Sequence, residues 1–115
     1  MLKVQTLVGK IFQTYQPIFV GANINFNLDL KTTARTSQEK SLRSVIQLYL
    51  DFATQNHPGA EIVLSADNQQ IIIRDSNFFF PNSSFSQLSA DITKLIPNAK
   101  LQTRIGFGTT LVLPL

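Results

Sequence analysis

The stretch "AEIVLSADNQQIIIRD", residues 60–75, constrains the fold of this chain more than any other. Two runs rich in isoleucine, valine and leucine flank a turn at Asp67-Asn68. β-Branched residues and a polar turn of this kind read as two strands joined in a hairpin. A lone hairpin is at best marginally stable in water, so more strands or packed helices must cover it. Further strands lie on both sides. "INFNLDL" alternates Ile24, Phe26, Leu28 and Leu30 with Asn25, Asn27 and Asp29. "AKLQTRIGFGTTLVLPL" supplies two more, interrupted at Gly106 or Gly108.

The covering helices show in the other periodicity. Val4, Leu7, Val8, Ile11, Phe12 and Tyr15 fall at helical spacing within residues 2–16, and Pro17 is expected to kink or end that helix near Gly21. Leu42, Val45, Ile46, Tyr49, Phe52 and Ala53 share a face of a second helix, with Ser37 as its cap candidate and "HPG" as its stop. Phe85, Leu88, Ile92 and Leu95 mark a third, starting near Ser84 and stopping at Pro97-Asn98. The order is helix, strand, helix, strand, strand, helix, strand, strand. It predicts one domain over residues 1–115, an α+β two-layer sandwich. A mixed sheet of about five strands carries three helices packed on one face.

Composition removes several kinds of function. There is no cysteine, hence no disulfide or thiolate chemistry, and a single histidine makes a zinc site of ordinary ligands unexpected. No apolar run reaches the roughly 18–20 residues of a membrane span, and no signal pattern follows Met1; both fit a cytoplasmic protein without membrane insertion. The net charge of +3 comes from scattered basic residues, not from a stripe with interleaved aromatics, so nucleic acid is not expected as a partner. His57, ending a helix before Pro58-Gly59, reads as a surface residue near the negative end of the helix dipole. Glu61 and Asp67 lack a partner for acid–base work, and no serine or threonine has a local base.

Nearly the whole length resembles the ATP-binding domain shared by sensor histidine kinases, DNA gyrase, a heat-shock chaperone and a mismatch-repair ATPase, the Bergerat or GHKL fold. "AKLQTRIGFGTTLVLPL" looks like that family's closing strand pair, and residues 42–77 look like its Asn-box helix followed by the hairpin that leads into its first glycine box. The resemblance implies that Asp75 accepts a hydrogen bond from the adenine amino group. It implies that Thr109, or its neighbour Thr110, assists through water. Gly106 and Gly108 would let the backbone turn beside the base, although a plain strand-joining turn explains them equally well.

The departures are as informative. The magnesium-holding Asn falls at Asp51, whose carboxylate could still take a hard cation. The family's earlier polar residue falls at Gln47, its small Ala becomes Phe52 and its basic residue becomes Thr54; shifting by one restores Ala53 but puts Phe52 at the Asn position. Asp-x-Gly-x-Gly becomes Asp75-Ser76-Asn77-Phe78-Phe79, where Asn77 can adopt the left-handed region and Phe79 cannot easily replace glycine. Only Phe80-Pro81-Asn82-Ser83 precedes the third helix, leaving no room for the lid or the glycine pair that cradles the triphosphate.

Phe78, Phe79 and Phe80 are therefore expected either to close the corner or to form an exposed patch for self-association. The favoured expectation is an eroded kinase-type domain, not an ATP-hydrolysing enzyme, that needs no cofactor. Its role would be docking or regulatory in two-component or phosphorelay signalling, with a response regulator or a dimerisation domain as partner. The alternatives are a working domain that binds ATP and Mg, and a structural self-association domain. The helical hairpin that carries a sensor kinase's phosphorylated histidine is not in the sequence, which is consistent with one domain cut from a longer protein.

Overall fold

A computed structural model describes residues 1–77, 83–104 and 106–115. Its main sheet contains β2 (Asn25–Leu30), β4 (Glu61–Ala66), β5 (Gln70–Asp75), β6 (Lys100–Arg104) and β7 (Gly108–Pro114), in the order β2-β4-β5-β7-β6. The helices are α1 (Val4–Gly21), α2 (Glu39–Asn56) and α3 (Ser83–Leu95). β2 and β4 pair in parallel, because α2 carries the chain back between them. The β4–β5 hairpin and the β5–β7 and β7–β6 pairs are antiparallel. This is the mixed five-stranded sheet with three helices that the sequence predicts.

Strand alternation fixes which face is covered. Ile62, Leu64, Ile71, Ile73, Leu111 and Leu113 point inward and are buried. They form one cluster with Leu7, Val8 and Ile11 of α1, Leu42, Val45, Ile46 and Tyr49 of α2, and Leu88 and Ile92 of α3. Their strand neighbours point to the other face, where Asn27, Asp29, Arg74, Lys100 and Gln102 are exposed and Val63, Ile72 and Val112 half-buried.

α1 continues through Pro17 and stops at Gly21, where the sequence predicts its stop. Proline inside a helix costs about 3 kcal/mol. The next turn offsets this by burying Phe19, a gain of about 1.5–3 kcal/mol for such a side chain. Phe19 is fully buried and packs edge-on against Phe26 of β2 and tilted against Tyr15. After Gly21 and the cap at Ala22 the chain turns away at Asn23, whose φ of 58° supplies the left-handed turn. Two other local expectations need correction. At the start of α2, Ser37 makes no cap. The residue before the helix is Gln38, and its N–H donates to Thr36 Oγ1 at 2.9 Å. Finally, two short strands, β1 (Leu2–Lys3) and β3 (Arg35–Thr36), were not predicted. They pair antiparallel and tie the start of α1 to the segment before α2.

Candidate functional site

The site forms where the end of α2, the end of β5 and the start of β7 meet. In β5 the inward positions are Ile71, Ile73 and Asp75, so the alternation that builds the core ends by aiming a carboxylate into it. Asp75 is 2% exposed. A buried carboxylate is costly unless it accepts hydrogen bonds, and three donors meet it. The Tyr49 hydroxyl donates to Asp75 Oδ2 at 2.8 Å. His57 Nδ1 lies 2.5 Å from the same oxygen, and so carries the proton that the carboxylate accepts. The backbone N–H of Asn77 donates to Oδ1 at 3.0 Å.

Each donor has a structural reason to be there. Tyr49 lies on the buried face of α2, one turn before Ala53. His57 follows the last helical residue, and its N–H still donates to the Ala53 carbonyl at 2.7 Å. That contact bends the chain inward before Pro58 and Gly59, the latter in the left-handed region at φ 83°. Phe52 covers the pair, with its ring 6.4 Å from that of Tyr49 and edge-on to His57 at 5.4 Å. Burial, and then the charge of Asp75, hold the Tyr49 phenol well above its usual range. The expectation that His57 is a surface residue is therefore overturned: it is 3% exposed and bonded to Asp75.

β7 supplies the remaining wall. Thr109 pairs with Asp75 across the strands and is 1% exposed. Its hydroxyl donates to the Asn77 carbonyl at 2.8 Å and lies 3.1 Å from Thr103 Oγ1. Thr110 belongs to the opposite face and pairs with Arg74. Of the two threonines, the structure thus brings Thr109 to Asp75. The two glycines also differ. Both have positive φ, 82° at Gly106 and 89° at Gly108. A Cβ on Gly106 would meet open space, whereas one on Gly108 would stand 2.2 Å from the Asp75 carbonyl oxygen. Gly108 is needed for the strands to close; Gly106 serves the turn alone.

Asn77 joins the cluster through its backbone, not through a left-handed conformation; Asn23 is the non-glycine residue with positive φ among the described residues. Asp51 lies elsewhere. It is exposed, and its Oδ1 accepts the Tyr15 hydroxyl of α1 at 2.6 Å. Among the described residues no group of three or more His, Asp or Glu side chains is arranged to hold a metal ion. Phe78, Phe79 and Phe80 lie outside the described residues. Tyr49 and His57 were missed as site residues. The available signal was the parity of β5: an inward Asp75 demands buried donors, and Tyr49 was already on the inward face of α2.

The fold is that of the ATP-binding domains of sensor histidine kinases, the GHKL type. Among solved structures it is similar to the histidine kinase AdeS of Acinetobacter baumannii, with a TM-score of 0.79 at 14% identity over 99% of this chain and 64% of that one. The catalytic domain of histidine kinase ThkA superposes with a TM-score of 0.76 at 13% identity, over 98% of this chain and 92% of that domain. The cytoplasmic segment of histidine kinase QseC gives 0.69 at 18% identity, over 98% and 74%. No family model and no curated protein matches the sequence.

Proposed function

We propose that this chain is a histidine-kinase-type domain that has given up ATP hydrolysis and serves a docking or regulatory role in phosphorelay signalling. The observation that carries this reading is the state of Asp75. In the family it resembles, that aspartate is the acceptor for the adenine amine. Here its two oxygens take the Tyr49 hydroxyl, the His57 imidazole and the Asn77 N–H. A base would have to displace a buried, charge-assisted bond, worth about 1.5–3 kcal/mol net, before making its own. The cation side is weak as well, since Asp51 is bonded to Tyr15. One of the similar structures is a complex of ThkA with the response regulator TrrA, which makes a response regulator the partner class to try first.

A second reading, an ATP-binding catalytic domain, draws on the pairing of Asp75 with Thr109 at the start of β7. Thermal unfolding separates the two. Millimolar ATP with Mg leaves the melting temperature of the wild-type chain unchanged on the first reading, because a ligand that does not bind the native state cannot stabilise it. A rise of several degrees would favour the second.

A further inference from the structure

We propose that His57 is an autoinhibitory latch: its imidazole is the built-in occupant of a site at Asp75 for a flat heterocycle bearing an N–H donor. The latch presupposes the function proposed above, with the corner closed around Asp75. The two carboxylate oxygens there have different partners. Oδ1 accepts the Asn77 N–H at 3.0 Å, while Oδ2 takes the Tyr49 hydroxyl at 2.8 Å and the His57 imidazole. Tyr49 and Asn77 belong to the walls. The phenol stands on the buried face of α2, and the amide lies just past the end of β5. His57 belongs to neither. It follows Asn56, the last residue of α2, and reaches the carboxylate from the connection to β4.

That connection is tied at both ends and open between them. Behind it, the His57 N–H donates to the Ala53 carbonyl at 2.7 Å, continuing the helical ladder. Ahead of it the chain is pinned again. The Ala60 carbonyl accepts the Asn25 N–H at 2.9 Å, and the Glu61 N–H donates to Ser76 Oγ at 2.9 Å. Pro58 and Gly59 lie between these ties, both exposed. Gly59 has φ 83°, and a Cβ placed on it would meet nothing within 4 Å, so open space borders the turn. Within the strap the Ala60 N–H donates to the His57 carbonyl at 3.2 Å, the bond that must yield. A backbone shift at residues 57–59, with rotation of the His57 side chain, takes the ring off Asp75 and leaves the ladders of α2, β4 and β5 in place.

The ring in place defines what can replace it. It is flat and aromatic, and it offers an N–H to a carboxylate oxygen. The Phe52 ring meets it edge-on, with 85° between the planes, a packing that suits another flat ring equally. When the imidazole leaves, Asp75 keeps a negative oxygen in a buried place with one donor fewer, and such an acceptor is costly to leave short. A heterocycle from outside recovers that charge-assisted bond. While His57 is seated the internal ring wins, because seating it loses no translational freedom of a second molecule.

Removing the ring from the 115-residue chain tests this. His57→Gly should melt below the wild type. Free imidazole, above about pH 8 where it is neutral, should raise the variant's melting temperature by several degrees at about ten times its Kd. Adenine, also flat and bearing N–H groups, should do the same. 1-Methylimidazole, with the shape but no N–H, should not. The wild type should respond to none of the three. If His57→Gly does not fold alone, imidazole and adenine should restore its folded circular dichroism spectrum and 1-methylimidazole should not. A variant indifferent to imidazole or to adenine overturns the latch. So does an equal response to 1-methylimidazole, which would mean a cavity filled without Asp75, or a wild type that responds as the variant does. ATP with Mg decides the other question: a stabilised wild type removes the docking reading, whereas a silent wild type with an unresponsive His57→Gly removes the latch alone.

Discussion

At the scale of single residues, Asp75 organises its surroundings. An inward carboxylate on a core strand needs donors, and α2 provides them at Tyr49 and His57. Tyr49→Phe keeps the ring but removes the donor. It should cost about 1.5–3 kcal/mol at neutral pH, read from urea unfolding at constant m-value. The same residue sets a limit at high pH. Its folded phenol titrates above the unfolded one, because burial and Asp75 disfavour the phenolate. Its contribution is thus fully present below about pH 10 and is lost as pH rises past it. Wild-type stability should fall in that range, and Tyr49→Phe should make the fall shallower; an identical slope in both proteins would contradict the assignment. Gly108→Ala should be among the most damaging turn substitutions, at about 2 kcal/mol or more, since the added carbon meets a backbone oxygen and the φ is unfavourable. Gly106→Ala has only the φ penalty to meet and should cost less.

At the scale of elements, α1 shows how packing overrides a local breaker. Pro17 removes one helical hydrogen bond, yet the helix continues because Phe19 lies one half-turn further on and closes over Phe26 and Tyr15. Phe19→Ala should cost about 3–5 kcal/mol. It should also release the last turn, so that hydrogen exchange at Val20–Ala22 speeds up more than exchange in the first turns. Uniform acceleration along α1 would mean that Phe19 supports the whole helix and not its end. α2 makes the opposite case. Its amphipathic spacing predicts the helix correctly, but Tyr49 on its inward face and His57 just beyond its end act at the site and not merely in the core.

For the whole molecule, one sheet has two faces of different chemistry. The covered face carries the core and ends in the Asp75 cluster. The open face carries exposed polar and charged residues, among them Asn27, Asp29, Arg74 and Lys100. Substitutions on one should leave the other alone, as they lie on opposite sides of the sheet and share no partners. His57→Ala should lower stability, because Asp75 loses a donor. Restoration of a nucleotide-dependent rise in melting temperature in that variant, absent from the wild type, would show that the imidazole itself holds the corner shut. No such rise would place the obstruction elsewhere, with Tyr49 and Phe52 next in line. Among the described residues no helix is long and apolar enough to cross a membrane.

Periodicity by itself determined the three helices, the five strands of the main sheet and their order, because apolar spacing of 3.6 or 2 residues is a property of consecutive positions. It therefore also told which face of each strand and helix turns inward; Asp75 and Thr109 were singled out by the family resemblance, in two separate motifs, and their pairing across β5 and β7 came with the fold. What only the tertiary structure decided were contacts between residues distant along the chain. His57 meets Asp75 across 18 positions and Tyr49 meets it across 26. Asp51 of α2 meets Tyr15 of α1, 36 residues away. The two short strands join segments more than 30 residues apart. Such pairings follow from how helices settle on a sheet, and burial makes them strong: a carboxylate shut away from water must find its donors wherever the packing brings them.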